Sequence, residues 1–491
     1  MNLNHITALS ACQLSTAIHQ RQVSCQEVMQ AYLTCIAQHN GTHNAIVSLR
    51  DNDVLMTQAQ DKDTLLAQGL SQGWMHGFPQ APKDLTATAG LASTLGFRGL
   101  AKQVPAHDSI MASRLRGAGS IFIGKTNTPE FGLGSHTYNA LFGTTRNAYN
   151  PSQSAGGSSG GSAVALALNM LPVADGSDMM GSLRNPAGWN NVYGLRPSQG
   201  RVPYGSAAGA VGDVFFQQLG TEGPMGRCVE DLAQLLAVQS GYHPRAPLSL
   251  TASAAQFAQP LQANFAGKRV GWLGSMDGYL AIESEVMQVC ETALGYFQTL
   301  GAQVDAVMPQ TPMDAVWEAW LTLRALSVSG HLAVIYSTPA LRDLLKPEAM
   351  WECEQAAQYG ALHIHRASIT RSQWYAQLLH LFETHDYLVL PSAQCFAFDA
   401  GVSWPKQVAG KPMDTYHRWM EVTIYATLAG LPALAVPAGF SSEGSPMGLQ
   451  IIGKPQGEWD LLQLGYAWQQ ATPFGAVRPS ALGPLGKLGK L

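Results

Sequence analysis

The sequence predicts a single α/β domain in which helices cover both faces of a central mixed, mostly parallel sheet. Of the 491 residues, 46% are hydrophobic and only 13% are charged, which is typical of a chain with a large buried interior. One amphipathic helix lies between two short apolar runs near residues 269–307, and this strand–helix–strand order calls for parallel strands. No repeat, charge block or low-complexity linker divides the chain, so we expect residues 1–491 to form one domain.

The first predicted elements are helices, over residues 1–60. Ser24 and Glu27 form a capping-box pattern that begins a helix, and this helix should end before the Asn40-Gly41 pair.

The clearest helical pattern begins at Ser284, a candidate N-cap, and stops before Gly301. Its apolar residues recur with the 3.6-residue period of a helix that buries one face. The other predicted elements are a helix at 109–116 and strands at 121–123, 269–273, 304–307, 387–391 and 433–437.

Charge and composition exclude several classes of function. Lys and Arg total 29 against 33 Asp and Glu, so the chain has no basic excess for binding nucleic acid. No uncharged stretch reads as an apolar helix of about twenty residues, and the N-terminus lacks a signal-peptide pattern. The seven scattered cysteines suit reduced thiols. We therefore expect a cytoplasmic protein that binds neither nucleic acid nor a membrane.

The glycine-rich region over residues 117–200 is where we expect the chemistry, because glycine lets the backbone approach a ligand closely. Residues 119–126 fit the phosphate-loop pattern GxxxxGK[ST]. Their Ser-Ile-Phe-Ile interior prefers an extended conformation, so a core strand is predicted there instead.

Residues 156–160 fit the nucleophile-elbow pattern GxSxG around Ser158, although the residues before them are polar and not strand-like. The apolar run 163–168 follows directly. We interpret the segment as a loop that begins a buried helix and presents amides and hydroxyls to an oxyanion, with a flexible linker as the alternative.

Two further segments carry candidate catalytic residues. Ser182 follows a short apolar stretch and lies within the segment GSLRNP. Lys83 precedes an uncharged run, and a surface ion pair with the adjacent Asp84 is the alternative interpretation. The only close histidine pair, His363 and His365, lacks the spacing of a metal motif, so no metal site is predicted.

Lys83, the GGSSGG run around Ser158 and the GSLRNP segment at Ser182 together resemble the amidase signature family. Ser158 lies 75 residues after Lys83, and Ser182 lies 24 residues after Ser158, separations that are typical of that family. Further similar stretches lie at residues 115–132, 193–202, 429–433 and 446–453. The match is weakest over about residues 230–380, which we expect to be a variable region that forms the substrate pocket. Five aromatic side chains there suit either the pocket or the core, namely Trp317, Trp320, Tyr336, Trp374 and Tyr375.

The resemblance implies a serine amidohydrolase that needs no cofactor or metal. Ser182 would attack the amide carbonyl to form an acyl-enzyme, Ser158, after a cis peptide bond, would relay the proton, and Lys83 would be the base. A lysine accepts a proton only when neutral, so burial must lower its pKa from about 10.4, and an inward-pointing Asp84 would oppose this shift. The oxyanion would be stabilised, at roughly 3 kcal/mol for each donor, by the backbone N–H groups of Met179, Met180 and Gly181.

The chain departs from the family pattern at Met180, where the family usually has glycine. Methionine keeps an N–H group but fills space near the acyl group. Asp178 and Arg184 bracket the nucleophile. An ion pair between them would hold the loop, and direct contact with substrate is the alternative.

The leading hypothesis is a free-standing amidase that cleaves a carboxamide or a small N-substituted amide. The alternative is the glutaminase subunit of a tRNA-dependent amidotransferase, whose Ser-Leu-Asp-Gln-type stretch before Gly-Pro is replaced here by residues 215–224. A catalytically inactive binding protein is a third hypothesis, which the three intact triad positions disfavour. An apolar pocket would suit aryl or long-chain amides, a polar one would suit glutamine-like substrates, and the resemblance is compatible with a homodimer.

Overall fold

The computed structural model describes residues 3–209, 213–216 and 218–483. Its helices, in chain order, are α1 (Leu3–Ala8), α2 (Ala11–His19), α3 (Cys25–His43), α4 (Asn52–Ala67), α5 (Ile110–Gly117), α6 (Gly160–Ala167), α7 (Arg184–Trp189), α8 (Val229–Gln239), α9 (Ser284–Thr299), α10 (Met313–Ser337), α11 (Pro339–Arg342), α12 (Pro347–Ala356), α13 (Ala361–Thr384), α14 (Ile424–Leu428) and α15 (Glu458–Ala471). Its strands are β1 (Ile46–Val47), β2 (Pro79–Gln80), β3 (Ile121–Phe122), β4 (Lys125–Thr126), β5 (Tyr138–Asn139), β6 (Gly143–Thr144), β7 (Ala174–Asp178), β8 (Tyr193–Arg196), β9 (Thr221–Gly226), β10 (Arg269–Trp272), β11 (Gln303–Ala306), β12 (Tyr387–Pro391), β13 (Gln407–Val408), β14 (Lys411–Pro412), β15 (Ala433–Phe440) and β16 (Pro446–Ile452).

An eight-stranded sheet with the order β11-β10-β12-β16-β15-β8-β9-β7 organises the fold. Strand β10 pairs in parallel with β11 and β12, and the remaining five pairings are antiparallel. The predicted single α/β domain with a mixed sheet is confirmed, but the expectation that most pairings are parallel was wrong. The strand–helix–strand unit produces parallel pairing at one edge of the sheet only. The short connection between β15 and β16 forces these two strands to be antiparallel.

Helices pack on both faces of this sheet, as predicted. Helix α7 lies against Gly194 of β8, which pairs with Ala435 of β15. Helix α15 lies against Leu434 through Gly465. Because neighbouring residues of a strand point to opposite faces, α7 and α15 cover opposite sides of the sheet.

The N-terminal helices form as predicted, apart from one boundary. The capping box between Ser24 and Glu27 begins α3. The helix continues through Asn40 and ends at His43, so the predicted end was wrong. The Asn40 side chain accepts hydrogen bonds from the N–H groups of Ala45 and Ile46 at 2.9 and 2.8 Å. It therefore stabilises the next turn of the chain from within the helix.

The other predicted elements are present with small shifts. Helix α9 begins at Ser284, with Glu283 in the N-cap position, and connects the parallel strands β10 and β11. Strand β15 continues beyond Pro437 to Phe440, because an irregularity of register between Pro437 and Gly439 accommodates the proline.

The phosphate-loop pattern over residues 119–126 forms core strands, as predicted. Its apolar interior is strand β3, and its lysine belongs to strand β4. The Lys125 ammonium group is buried and donates to the Thr86 carbonyl at 2.5 Å and to Thr88 Oγ1 at 2.8 Å. These contacts occupy the group that would otherwise bind a phosphate.

Within the described ranges, no helix is long and apolar enough to cross a membrane. All seven cysteines lie in these ranges and are free thiols.

Candidate active site

Lys83 lies shortly after β2 and is fully buried. Its ammonium nitrogen contacts three hydroxyl groups, at 2.7 Å from Ser158 Oγ, 2.9 Å from Ser159 Oγ and 3.0 Å from Ser177 Oγ. Asp84 points elsewhere and accepts the N–H group of Thr94 at 3.0 Å. Lys83 therefore does not form the surface ion pair with Asp84 and instead contacts the candidate catalytic residue Ser158.

The surroundings of Lys83 favour its neutral form. Burial lowers its pKa to about 7, although the carboxyl groups of Asp178, Asp175 and Glu222 oppose this shift. Its hydrogen-bond partners are uncharged hydroxyls, which a neutral amine can contact as donor or as acceptor. The side chain can therefore accept a proton near neutral pH.

The loop that carries Ser158 is an ordered entrance to helix α6 and not a flexible linker. The Gly157 N–H donates to Asn185 Oδ1, and the Gly160 N–H donates to Thr137 Oγ1, both at 3.1 Å. The peptide bond between Gly157 and Ser158 is cis. This loop places the Ser158 hydroxyl between Lys83 and the cavity described below.

Ser182 lies in the turn between β7 and α7, and an ion pair holds this turn. Asp178 and Arg184 are both fully buried and lie 2.9 Å apart. The Asp178 carboxylate also accepts the N–H groups of Gly181 at 3.0 Å and Leu183 at 3.1 Å. Burial alone would raise the pKa of Asp178, but the guanidinium groups of Arg184 and Arg196 outweigh it and lower this pKa to about 2. The anionic side chain therefore fixes the backbone on both sides of Ser182.

Gly181 cannot be replaced in this turn without a clash. Its φ is +75°, and an added Cβ would lie 2.6 Å from the Thr423 side chain. Because its N–H already donates to Asp178, this amide, one of the three predicted oxyanion donors, is engaged within the turn. Met180 carries a buried side chain that lines the cavity.

A cavity of about 200 Å³ brings Ser158, Ser177 and Ser182 to one surface. Its apolar wall consists of Leu85, Leu95, Phe131, Leu133, Met179, Met180, Val328 and Leu332. Its polar side chains besides the serines include Thr86, Tyr204, Glu222, Arg324, His331 and His417. None of the five aromatic residues named above from the variable region belongs to this lining, although helix α10 from that region supplies four lining residues.

Glu222 is a site residue that the sequence analysis missed. It lies on β9 directly opposite Ser177 of β7, and its Oε1 accepts a hydrogen bond from Thr86 Oγ1 at 3.2 Å. Burial, together with the nearby Asp175, raises the pKa of Glu222 to about 8. The only sequence pattern that could have pointed to it is that Glu222 is the single charged residue in the otherwise uncharged run 214–226. Arg324 gives the same signal as the only charge over residues 319–341.

Among the residues that the structure describes, no three His, Cys, Asp or Glu side chains form a group that could hold a metal ion. His363 and His365 are exposed on helix α13. The functional groups that line the cavity are hydroxyls, buried carboxyls, the Arg324 guanidinium and two imidazoles, and the Lys83 amine lies behind Ser158.

The sequence matches the Amidase family over residues 27–462. The chain belongs to this family. It is 34% identical to a glutamyl-tRNA(Gln) amidotransferase subunit of Thermosynechococcus vestitus, over 95% of this chain and 98% of the relative. It is 30% identical to an acylamidase of Rhodococcus erythropolis, over 96% of this chain and 97% of the relative.

A solved structure of a bacterial aryl acylamidase from the amidase signature family is similar along nearly the whole chain. The TM-score is 0.87 at 29% identity, and the match covers 96% of this chain and 99% of that one. The predicted membership of the amidase signature family and the predicted fold class are thereby confirmed.

Proposed function

We propose that this member of the Amidase family is an amidohydrolase that cleaves the C–N bond of a linear carboxamide. Ser182 is the nucleophile, Ser158 relays protons and Lys83 is the base. The observation that carries the proposal is the 2.7 Å contact between the buried Lys83 amine and Ser158 Oγ, beside a cavity that Ser182 also lines. A serine hydroxyl needs such a base within reach to become a nucleophile.

Acylation follows from this arrangement. As Ser182 Oγ forms a bond to the amide carbonyl carbon, its proton passes to Ser158, and the Ser158 proton passes to neutral Lys83. When the C–N bond breaks, Ser158 gives a proton to the leaving nitrogen and regains one from Lys83. The products are a free amine and an ester between the acyl group and Ser182.

Deacylation runs through the same groups. Water forms a bond to the acyl carbon and gives a proton to Lys83 through Ser158. The bond from the acyl carbon to Ser182 Oγ then breaks, and the proton returns to Ser182 by the same route. The carboxylic acid leaves, and the three side chains recover their starting protonation states.

We assign the oxyanion donors to the N–H groups of Met179 and Met180. The Gly181 N–H already donates to Asp178, so its contribution lies in holding the turn. The Met180 side chain reduces the room for the acyl group, because it lines the cavity next to Ser182. This arrangement supports slender acyl groups as substrates.

Sequence identity does not decide between an amidase and a glutaminase subunit, since relatives of both kinds are comparably similar. The mostly apolar cavity wall favours an amide with an apolar acyl or amine part. The departure over residues 215–224, of which Gln217 lies outside the described residues, favours the same choice. We therefore propose a small-molecule amide as the substrate.

The test is hydrolysis by the purified chain alone. We expect it to release ammonia or amine from uncharged aliphatic and aryl amides but not from glutamine, with Ser182→Ala as the inactive control. Hydrolysis of glutamine that appears only when partner subunits are added would overturn the proposal.

A further inference from the structure

His417 is a buried polar residue of the cavity wall that the proposed reaction does not use. Its side chain is 2% exposed and lines the same cavity as Ser182. Within the described part of the chain, neither ring nitrogen has a hydrogen-bond partner. Because a buried imidazole without hydrogen bonds is costly, this arrangement indicates that the ring meets a polar ligand atom.

Aromatic side chains hold the His417 ring in place. The ring centroids of Trp317, Trp351 and Tyr416 lie 5.3, 5.6 and 4.5 Å from that of His417. These neighbours fix the direction of the imidazole without satisfying its nitrogens. A ligand atom in the cavity would therefore meet a pre-oriented group.

Arg324 is a second polar group of the same wall, and it is anchored from behind. Its Nε donates to Glu352 Oε1 at 2.6 Å, and its Nη2 donates to the Tyr416 hydroxyl at 2.7 Å. Among the described residues, the hydrogen-bond partner of its Nη1 is the sulfur of Met179, at 3.5 Å, which is a weak acceptor. The fixed guanidinium thus keeps donor capacity for a ligand beside the Met179–Ser182 turn.

Together with Glu352, these two groups carry no net charge that a ligand would need to balance. Glu352 neutralises Arg324. Burial and the neighbouring guanidinium groups of Arg324 and Arg418 hold the pKa of His417 well below its usual range, so the imidazole is neutral. A carboxylate would be a second anion beside the Arg324–Glu352 pair, and an ammonium group would face a guanidinium.

We propose that Arg324 and His417 form a recognition subsite for an uncharged substrate group that both accepts and donates a hydrogen bond, such as a hydroxyl or a second carboxamide. Arg324 donates to this group, and one nitrogen of His417 accepts from it. The proposal rests on the proposed function, because it describes the remote end of an amide whose carbonyl lies at Ser182. The substrate class is an amide with an uncharged polar end group.

The test measures binding, so that it does not depend on turnover. The chain with Ser182→Ala is titrated with amides of matched shape and different end groups, across a short series of chain lengths. One such set is 6-hydroxyhexanamide, heptanamide, 6-aminohexanamide and the monoamide of adipic acid. Tryptophan fluorescence reports binding, since Trp317 and Trp351 flank His417.

At the chain length that fits best, we expect the hydroxyl end group to bind about tenfold more tightly than the methyl end group, and both charged ends to bind more weakly than methyl. His417→Phe keeps an aromatic ring among its neighbours and should reduce the tenfold preference to about twofold or less. His331→Phe is the matched control, because His331 lines the same cavity but is exposed, and it should keep the preference.

An unchanged hydroxyl preference in His417→Phe, or tighter binding of a charged end group at every chain length, would overturn the subsite. Hydrolysis of the same amides by the wild-type chain is measured separately. If the variants bind as expected but the wild-type chain cleaves none of the amides, the proposed function fails and the subsite stands.

Discussion

Lys83 meets three serine hydroxyls, and among the described residues no carboxylate lies within ion-pair distance of its amine. A buried lysine in such surroundings cannot gain enough from its charge to offset lost hydration. Burial of the side chain, and not a particular neighbouring residue, therefore lowers the pKa of Lys83 to about 7. The same burial that keeps the amine neutral makes it usable as a base.

The first prediction concerns the pH dependence of turnover. Because the pKa of Lys83 is lowered to about 7, its neutral fraction rises as pH rises through this value. With an uncharged amide, kcat/KM should increase about tenfold per pH unit at low pH and level off above about pH 8. A pH profile of kcat/KM measures this, and a profile that is flat from acid to neutral pH would contradict it.

Glu222→Gln is the control variant for that profile. Because the pKa of Glu222 is raised to about 8, this carboxyl is mostly protonated and neutral at the Lys83 midpoint, so Glu222→Gln should leave the midpoint near pH 7 and keep the rising limb. If kcat/KM of this variant no longer rises with pH, the group whose titration controls turnover is Glu222 and not Lys83.

The second prediction distinguishes the role of the Ser158 hydroxyl from that of the other hydroxyls that contact Lys83. Ser158→Ala should lower kcat/KM by about 10²–10⁴-fold, since it removes the proton relay. Ser177→Ala removes a similar contact with Lys83 and also lies at the cavity, but we expect a loss below about tenfold. Steady-state kinetics with circular dichroism as a folding check measures both. Equal losses in the two variants would mean that Ser158 has no special role.

The sequence singles out the three candidate catalytic residues because each lies in a short motif and the motifs have a recognisable spacing, and their catalytic roles stay a prediction. Glu222, Arg324 and His417 were not predictable as a group. They come from a strand, a helix and a loop that are far apart in the chain, and only the tertiary fold brings them to one cavity.

The turn from β7 into α7 depends on the buried pair between Asp178 and Arg184. Arg196 of β8 also donates to the Asp178 carbonyl, so the ion pair links two strands of the sheet to this turn. With four backbone and guanidinium donors on one carboxylate, the turn has little freedom. This rigidity positions Ser182 before any substrate binds.

The third prediction is a stability change in Asp178→Asn. The variant leaves two buried guanidinium groups without a full counter-charge and should lower the free energy of unfolding by about 3–5 kcal/mol in urea denaturation. Asp305→Asn is the matched control, because Asp305 pairs with Arg269 at an exposed position, and it should cost less than about 1 kcal/mol. Equal effects of the two substitutions would contradict a structural role for the buried pair.

The stabilisation that Asp178 contributes to the folded state should decrease as the pH falls. The folded pKa of Asp178 is about 2, below the unfolded value of about 3.9. The stabilisation is therefore fully present above about pH 4 and is lost as pH falls through about 2.

Periodicity and capping patterns predicted α3, α9 and the parallel β10–β11 pair, because these signals are local in sequence. The direction of the other strand pairings could not be predicted from local sequence patterns. Strand β12 pairs with β16, which follows it by more than fifty residues, and no pattern within either strand specifies that partner or its antiparallel direction.

Across the whole molecule, the fold needs no covalent cross-link, since its seven cysteines are free and most are buried. Burial raises the pKa of the Cys353 thiol to about 11 and that of Cys35 to about 12, which keeps both protonated. One continuous hydrophobic core runs from the N-terminal helices to α15. Stability should therefore come from noncovalent interactions, with apolar burial as the largest contribution.

The fourth prediction follows from these thiols. Dithiothreitol should leave the thermal unfolding midpoint unchanged within error, measured by calorimetry with and without the reductant. A midpoint that falls on reduction would show that a disulfide supports the fold.

The assignment of Ser182, Ser158 and Lys83 as one reactive unit is tested most directly by a fluorophosphonate probe, with peptide mapping of the modified residue. We predict an adduct on Ser182 that is retained in Ser177→Ala and lost in both Ser182→Ala and Lys83→Met. An adduct on Ser158 alone, or no adduct on a chain shown to be folded, would contradict the assignment.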